Sequence, residues 1–370
     1  MVGAGVGAGI MAVPFLAERV GLVGLAIILP IAWAVSALLH LMLAEVLFRT
    51  GRDLQIVELM HLYLLRGRIG RLLLWPIFTL LGIAFLANLA AYISGAGEIV
   101  ANLVGSERYL SEFLVYLISA GVVLFGLKAV GVAERFGALV LIGLVVAIGV
   151  GAIAQPFNVR PGLRGSPTQW TALYGIVMYA LWSFYSVPQV VKGLGSDRRG
   201  AVRVILTGLT INGLLIAVVA LIALGISTKV TEVAIIGMTE PMGPLAGLMG
   251  SIFMIAALVT SYWSVSLALA DILRERTGIS GRVSWLLATL PSLLILWLGV
   301  WDFLEWLQLA AGTTAIVVAL MTLPMYRQAQ QTGPVINPDW TLGRWGSPAI
   351  LTLTLIALII MAVGSLFSIL

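Results

Sequence analysis

Long apolar runs separated by short polar stretches make up most of the chain. A helix needs about 20 mainly apolar residues to cross the hydrocarbon core of a bilayer. The pattern predicts eleven such helices, spans 1 to 11, at residues 2–16, 21–48, 72–104, 110–127, 133–154, 171–191, 202–226, 243–272, 283–301, 304–325 and 347–369. The chain is therefore predicted to be an all-α polytopic membrane protein.

Two segments rich in proline and glycine divide these spans. Residues 155–170 are predicted to form an outer loop between the first five spans and the next five, and residues 326–346 a cytoplasmic link to the last span. Because five is odd, the two halves enter the membrane from opposite sides, which is the condition for an inverted repeat. We predict a first repeat at 1–154, a second at 171–325 and an accessory helix 11 at 347–370.

Spans 1 and 6 each carry an interruption. In span 1, four glycines alternate along residues 3–9 and are followed by Pro14; in span 6, the polar and aromatic run 182–186 is followed by Pro188. Glycine and proline weaken a helix, and freed backbone groups at membrane depth can bind a substrate or an ion. Close packing through small residues is the alternative interpretation of the glycines. Interruptions at corresponding positions of two repeats favour a transport site.

Composition agrees with this class and restricts the chemistry. Of 370 residues, 61% are hydrophobic and 10% are charged, whereas a soluble protein is about 25% charged. The chain has no cysteine and two histidines, so disulfides, thiolate chemistry and a histidine-rich metal site have no basis. Without a nucleophile motif or paired carboxylates, we expect no enzyme activity and no cofactor beyond a coupling ion.

The basic residues set the expected orientation. The net charge of +5 has the sign expected of a nucleic-acid-binding protein. The Lys and Arg residues, however, lie in short loops between spans, which indicates membrane topology instead. With a cytoplasmic N-terminus, most of the 21 Lys and Arg residues fall on the cytoplasmic side, as the positive-inside rule requires. We predict a multi-pass protein of the cell (plasma) membrane, with its N-terminus in the cytoplasm and its C-terminus outside, surrounded by lipid and binding no nucleic acid.

Three motifs resemble those of the aromatic amino acid permeases of bacteria, which belong to the amino acid/polyamine/organocation superfamily. They are GAGIMAVP at 7–14, AAYISGAGE at 90–98 and Thr260-Ser261. The resemblance runs to about Leu323 and implies a leucine-transporter-like 5+5 inverted repeat with an eleventh helix. The implied function is a secondary active amino acid transporter, an ion-coupled symporter that imports aromatic or hydrophobic amino acids by alternating access.

A different class of protein shares this fold. A spore germinant-receptor membrane subunit has a similar length but signals when its ligand binds, and it is the alternative function. Genes for a lipoprotein and a large receptor subunit beside this one would favour it. Members of the permease family also carry further residues before the glycine motif, so we expect a start codon upstream.

The resemblance assigns substrate-binding residues position by position. The backbone at the start of span 1 holds the substrate carboxylate, and spans 3 and 6 contribute side chains. The implied residues are Gly7, Ala8, Gly9, Asn88, Tyr92, Ser183 and Phe184. Asn88 and Tyr92 are four residues apart and share one helix face, although an aromatic residue of the membrane interface is the alternative for Tyr92.

The resemblance also implies a sodium site of carbonyl and hydroxyl oxygens. Oxygen ligands suit a hard cation, but Ser and Thr hydroxyls often bond back to their own helix instead. The implied ligands are Gly3, Val6, Ala257, Thr260 and Ser261.

Acids within the membrane are the candidates for a proton or gating role, since they are costly there and usually functional. Glu98 and Glu45 meet this description. Glu45 precedes Arg49 by four residues, which also fits an ion pair, and a structural role is the alternative for Glu98. Residues 132–154 contain no lysine, where some proton-coupled relatives place one, so sodium is favoured and the proton stays open.

Overall fold

A computed structural model describes residues 9–157, 162–227, 230, 237, 242–300 and 303–367 of the chain. Every regular element within these ranges is a helix. In chain order, the α-helices are α1 (Gly9–Val20), α2 (Leu22–Thr50), α3 (Ile56–Tyr63), α4 (Gly67–Val104), α5 (Arg108–Leu124), α6 (Leu127–Ile153), α7 (Pro167–Ala180), α8 (Val187–Leu194), α9 (Arg198–Ile226), α10 (Pro244–Thr277), α11 (Gly281–Trp297), α12 (Phe303–Thr332) and α13 (Pro348–Phe367).

The helices follow the predicted spans, with different ends. Among the described residues, α2, α4, α6, α9, α10 and α12 are long and apolar enough to cross a bilayer, and α11 and α13 are shorter apolar helices. Helix α12 continues to Thr332, beyond the predicted end of span 10 at residue 325. Hydropathy detects only the part of a helix that contacts lipid. The hydrogen-bonded helix continues beyond it through residues such as Arg327 and Gln328, which have good helix propensity.

The segment between spans 2 and 3 contains the short helix α3, which is fastened to the end of α10. The backbone N–H of Gln55 donates to both carboxylate oxygens of Glu275, at 3.0 and 2.9 Å. Arg276 donates to Glu58 at 3.2 Å. The apolar side of α3, including Leu59 and Met60, is buried. This amphipathic segment therefore packs against the helical bundle.

Span 6 is interrupted, as predicted. Helix α7 starts with a capping box between Ser166 and Gln169 and ends at Ala180. A 3₁₀ turn at Phe184–Ser186 separates it from α8. Pro188 lies in the first turn of α8, where its missing N–H has no partner to lose. The chain thus leaves helical geometry between α7 and α8.

In span 1, residues 3–8 of the predicted interruption lie outside the described residues, and the described part, which includes Pro14, is helical. Helix α1 runs without interruption from Gly9 through Pro14 to Val20. A proline within a membrane helix is tolerated where neighbouring helices pack against it, and Pro14 is buried together with Val13 and Ala17. The predicted site residues Gly3, Val6, Gly7 and Ala8 lie outside the described residues.

The polar link between α12 and α13 is fastened to α2. The buried carboxylate of Glu45 accepts hydrogen bonds from Arg49 Nε at 2.8 Å, the Tyr326 hydroxyl at 3.0 Å and the backbone N–H of Leu342 at 2.7 Å. The backbone N–H of Val335 also donates to the carbonyl of Arg49, at 2.9 Å. Glu45 therefore forms the ion pair that its spacing from Arg49 suggested, and it joins α2, α12 and the link.

Replacing Glu45 with alanine is expected to destabilise the protein. The substitution leaves Arg49 and two further donors without their acceptor, and breaking a buried ion pair costs about 3–5 kcal/mol. We expect the melting temperature of the purified protein in detergent to fall by several degrees. Glu18→Ala, at an exposed position of α1, is the control; equal melting temperatures for the two variants would contradict the role given to Glu45.

Candidate functional site

The start of α1 lies directly against the end of α7. A Cβ atom placed on Gly9 would lie 2.8 Å from the Cα of Ala180 and 3.0 Å from Cδ1 of Tyr179. Such a distance to a backbone atom leaves no room for a side chain, so glycine is required. Gly9 at the start of α1 therefore lies against the residues that precede the break in span 6.

Two side chains of α2 bond to the groups that the break exposes. The Ser36 hydroxyl donates to the carbonyl of Leu181 at 3.1 Å. His40 Nδ1 lies 2.6 Å from the carbonyl of Ser36, and since a carbonyl only accepts, Nδ1 carries the proton. His40 Nε2 then accepts from the Ser183 hydroxyl at 3.2 Å. Helix α2 thus stabilises the non-helical residues between α7 and α8.

Phe184 lies on the same side of the break as Ser183. Its ring makes an edge contact with His40, with centroids 5.7 Å apart, and a tilted contact with Trp182 at 5.8 Å. Both Ser183 and Phe184 are buried. The structure therefore turns the side chains of these two predicted substrate residues towards α2.

A buried cluster of polar side chains lies on the other side of the break. The Tyr179 hydroxyl donates to Asn88 Oδ1 at 2.8 Å. The Tyr92 hydroxyl lies near the hydroxyls of Tyr179, Tyr185 and Ser261. We name these five residues the tyrosine cluster. It joins α4, the two sides of the break and α10.

The tyrosine cluster includes residues that the sequence did not assign to binding. Asn88 and Tyr92 were predicted as substrate residues and Ser261 as a sodium ligand, and the structure brings the three together. Tyr179 was not singled out, and Tyr185 was noted only as part of an aromatic group in span 6. The sequence did indicate these two residues indirectly, because Tyr179 and Tyr185 flank the predicted break in span 6.

Two further polar groups at the break are buried. Ser186 Oγ and Trp182 Nε1 have no hydrogen-bond partner among the described residues. Leaving a buried donor unsatisfied costs about 1–3 kcal/mol. These two groups and the tyrosine cluster place buried hydrogen-bonding atoms at the break.

The predicted sodium ligands on α10 are hydrogen-bonded within the protein. The Thr260 hydroxyl donates to the carbonyls of Ala256 at 2.9 Å and Ala257 at 3.1 Å, which is the back-bonding that was the alternative interpretation. Ser261 belongs to the tyrosine cluster. Since Gly3 and Val6 lie outside the described residues, a sodium site here stays a prediction.

The two predicted acids are not in the tyrosine cluster. Glu98 is exposed on α4, whereas Glu45 lies in the ion pair with Arg49. The sequence analysis missed Glu134, a partly buried acid on α6 that accepts a hydrogen bond from the Ser264 hydroxyl of α10. Hydropathy along the span gave no signal for Glu134, because the burial of this face of α6 depends on the helices that pack against it.

An interrupted helix beside a buried polar cluster, in a bundle of apolar helices, is typical of multi-pass membrane transporters. The chain belongs to the tryptophan/tyrosine permease family, whose model matches residues 1–366. Its fold is similar to that of MHP1, a nucleobase-cation-symport-1 family transporter, in a closed conformation with bromovinylhydantoin bound. The TM-score is 0.63 at 14% identity, over 99% of this chain and 90% of that chain. No curated protein sequence matches the chain.

These comparisons confirm the predicted family and the predicted leucine-transporter-like fold. They also confirm that the chain is a transporter and not an enzyme. The protein is a secondary transporter of a small molecule, embedded in a membrane.

Replacing Ser36 with alanine is expected to loosen the break. The substitution removes the donor to the buried carbonyl of Leu181, at a cost of about 1–3 kcal/mol. We expect a lower melting temperature and faster amide hydrogen exchange in residues 181–186. Ser119→Ala is the matched control, because the Ser119 hydroxyl is buried but has no partner among the described residues. Equal exchange rates in the two variants would refute the support that we assign to α2.

Proposed function

We propose that the protein is an ion-coupled symporter that imports an aromatic or hydrophobic amino acid. The observation that supports this proposal is the tyrosine cluster, whose hydroxyl and amide groups lie beside the break of span 6, with Tyr179 next to Gly9 at the start of α1. Membership of the tryptophan/tyrosine permease family supports an aromatic substrate.

In this proposal, the substrate lies between the start of α1 and the break. The backbone of Gly7, Ala8 and Gly9 would bind the carboxylate of the amino acid. Asn88 and the tyrosine hydroxyls would bind polar groups of the substrate. Phe85 packs against Tyr185, with ring centroids 5.3 Å apart, and together they would offer an aromatic surface to the side chain of the substrate.

Transport would proceed by alternating access, with the break as the moving part. Residues that leave helical geometry can change direction at a lower cost than a continuous helix, because they have no ladder of backbone hydrogen bonds to break. The coupling ion would be sodium or a proton. We also propose the orientation that the basic residues predict, with the N-terminus in the cytoplasm of the cell and the C-terminus outside.

Uptake into liposomes tests this proposal. The purified protein is reconstituted, and uptake of labelled tryptophan, tyrosine, leucine and serine is measured under a sodium gradient and, separately, under a pH gradient. We expect concentrative uptake of tryptophan or tyrosine under one gradient and little uptake of serine. Saturable binding without uptake under either gradient would overturn the proposal and favour the receptor-subunit alternative.

Tyr179→Phe is expected to weaken transport. The substitution removes the hydrogen bond to Asn88 and leaves a buried amide unsatisfied, so we expect kcat/KM for the preferred amino acid to fall about tenfold, equivalent to ~1.4 kcal/mol. Tyr174→Phe is the matched control, since the Tyr174 hydroxyl lies on the same helix, is buried and has no partner among the described residues. Equal kcat/KM values for the two variants would place the substrate away from the tyrosine cluster.

A further inference from the structure

A groove of about 520 Å³ lies between helices α12 and α13. Leu351, Thr352 and Leu355 line it from the first two turns of α13. Leu64, directly after α3, contributes from the segment between spans 2 and 3. The other lining residues belong to α12. The groove therefore lies where α12 ends and α13 begins, on the side of the molecule that carries the polar link.

The groove changes from apolar to polar along α12. Leu323 and Pro324 line its apolar part, and Arg327, Gln328 and Gln331 follow on the next two turns. Spacings of three and four residues place these side chains on one face of the helix, over a length of about 12 Å at 1.5 Å per residue. Because the apolar run of span 10 ends at residue 325, the apolar part lies at the depth of lipid tails and the polar part at that of headgroups.

The α13 side of the groove is open to the bilayer. Leu355 is exposed, as is the next residue, Ile356. Just before α13, the exposed Trp345 has the guanidinium carbon of Arg344 at 5.6 Å from its ring centroid. Tryptophan and arginine side by side are typical of the level of lipid headgroups. A lipid can therefore enter the groove from the surrounding bilayer, with its headgroup at the level of the link.

The polar part of the groove is positively charged. Arg327 is exposed, and none of the ion pairs between described residues includes it. Arg66 donates to the Thr332 hydroxyl at 3.4 Å, so a second guanidinium reaches the end of α12. Residues 64–71 contain three arginines and no acid, and residues 326–370 contain two arginines and one acid. An anionic headgroup therefore complements this part of the groove.

We propose that this groove binds one anionic phospholipid. An acyl chain would lie along Leu323 and Leu355, and the phosphate would accept hydrogen bonds from the guanidinium of Arg327. The amides of Gln328 and Gln331 would donate to the ester oxygens of the lipid. A single molecule with a chain and a phosphate accounts for the apolar part and the basic part of the same groove. The bound lipid would fill the space between α12 and α13 and stabilise their contact.

Arg327→Gln tests the charged part of the groove. Native mass spectrometry of the purified full chain in detergent measures the dissociation constant of the first bound phosphatidylglycerol, with zwitterionic phosphatidylcholine as the comparison. We expect R327Q to bind phosphatidylglycerol about fivefold more weakly, the contribution of one basic residue near an anionic lipid, and to bind phosphatidylcholine as before. Arg282→Gln is the matched control, because Arg282 is also an exposed arginine of a helix and does not line the groove.

Leu355→Trp tests the apolar part of the groove. The larger side chain is expected to occupy the place of the acyl chain and to weaken the binding of phosphatidylglycerol severalfold. Ile356→Trp is the matched control, since Ile356 is the next residue, is exposed and does not line the groove. Both positions are at the surface of α13, so we expect the two variants to have the same melting temperature as the unchanged protein when no lipid is added.

Three results would overturn the lipid site. The first is equal affinity of R327Q and Arg282→Gln for phosphatidylglycerol. The second is displacement of the lipid by an equal concentration of glycerol 3-phosphate, which would show an anion site that needs no acyl chain. The third is a dimer that dissociates in Leu355→Trp while lipid binding is unchanged, which would assign the groove to a second copy of the chain. Lipid binding is measured without transport, so these results are independent of the proposed symport function.

Discussion

Hydrogen bonding of the backbone within the membrane is the constraint on which the rest of the structure depends. Hydrocarbon offers no partner to a free carbonyl or N–H group. At the interruption between α7 and α8, Ser36 of α2 donates to the carbonyl of Leu181, and His40 of α2 accepts from the Ser183 hydroxyl. The same helix carries Glu45, which holds the link before α13. One continuous helix therefore supports both the break and the polar link before α13.

Much of the fold was readable in the sequence, since lipid imposes a length and a polarity on every spanning helix. The break in span 6 was also readable, because the 182–186 run and Pro188 act locally. Pro14 does not interrupt the described part of span 1, since the effect of a proline depends on whether neighbouring helices pack around it, and in α1 they do. A local pattern thus predicts a break only where the surrounding packing leaves the proline room to end a helix.

The candidate site was only partly readable. The family resemblance pointed to Asn88, Tyr92 and Ser261, and the structure joins them through Tyr179 and Tyr185. Glu98 was predicted to have a role because it lies within a membrane span, yet its side chain is exposed. Glu134, in contrast, lies on a packed face of α6. Whether the side of a helix that carries an acid is packed or exposed depends on the neighbouring helices. Hydropathy along one span does not contain that information.

Helix α13 packs directly against α7, the first half of the interrupted span 6. A Cβ atom on Gly364 would lie 2.1 Å from the carbonyl oxygen of Thr171, so the backbones of the two helices touch. Elsewhere on α13, the apolar side chains of Leu353, Ile356 and Ile360 are exposed, as suits contact with lipid tails. Since α7 packs directly on α13, the thickness and lateral pressure of the bilayer would act on the segment that the proposed mechanism moves.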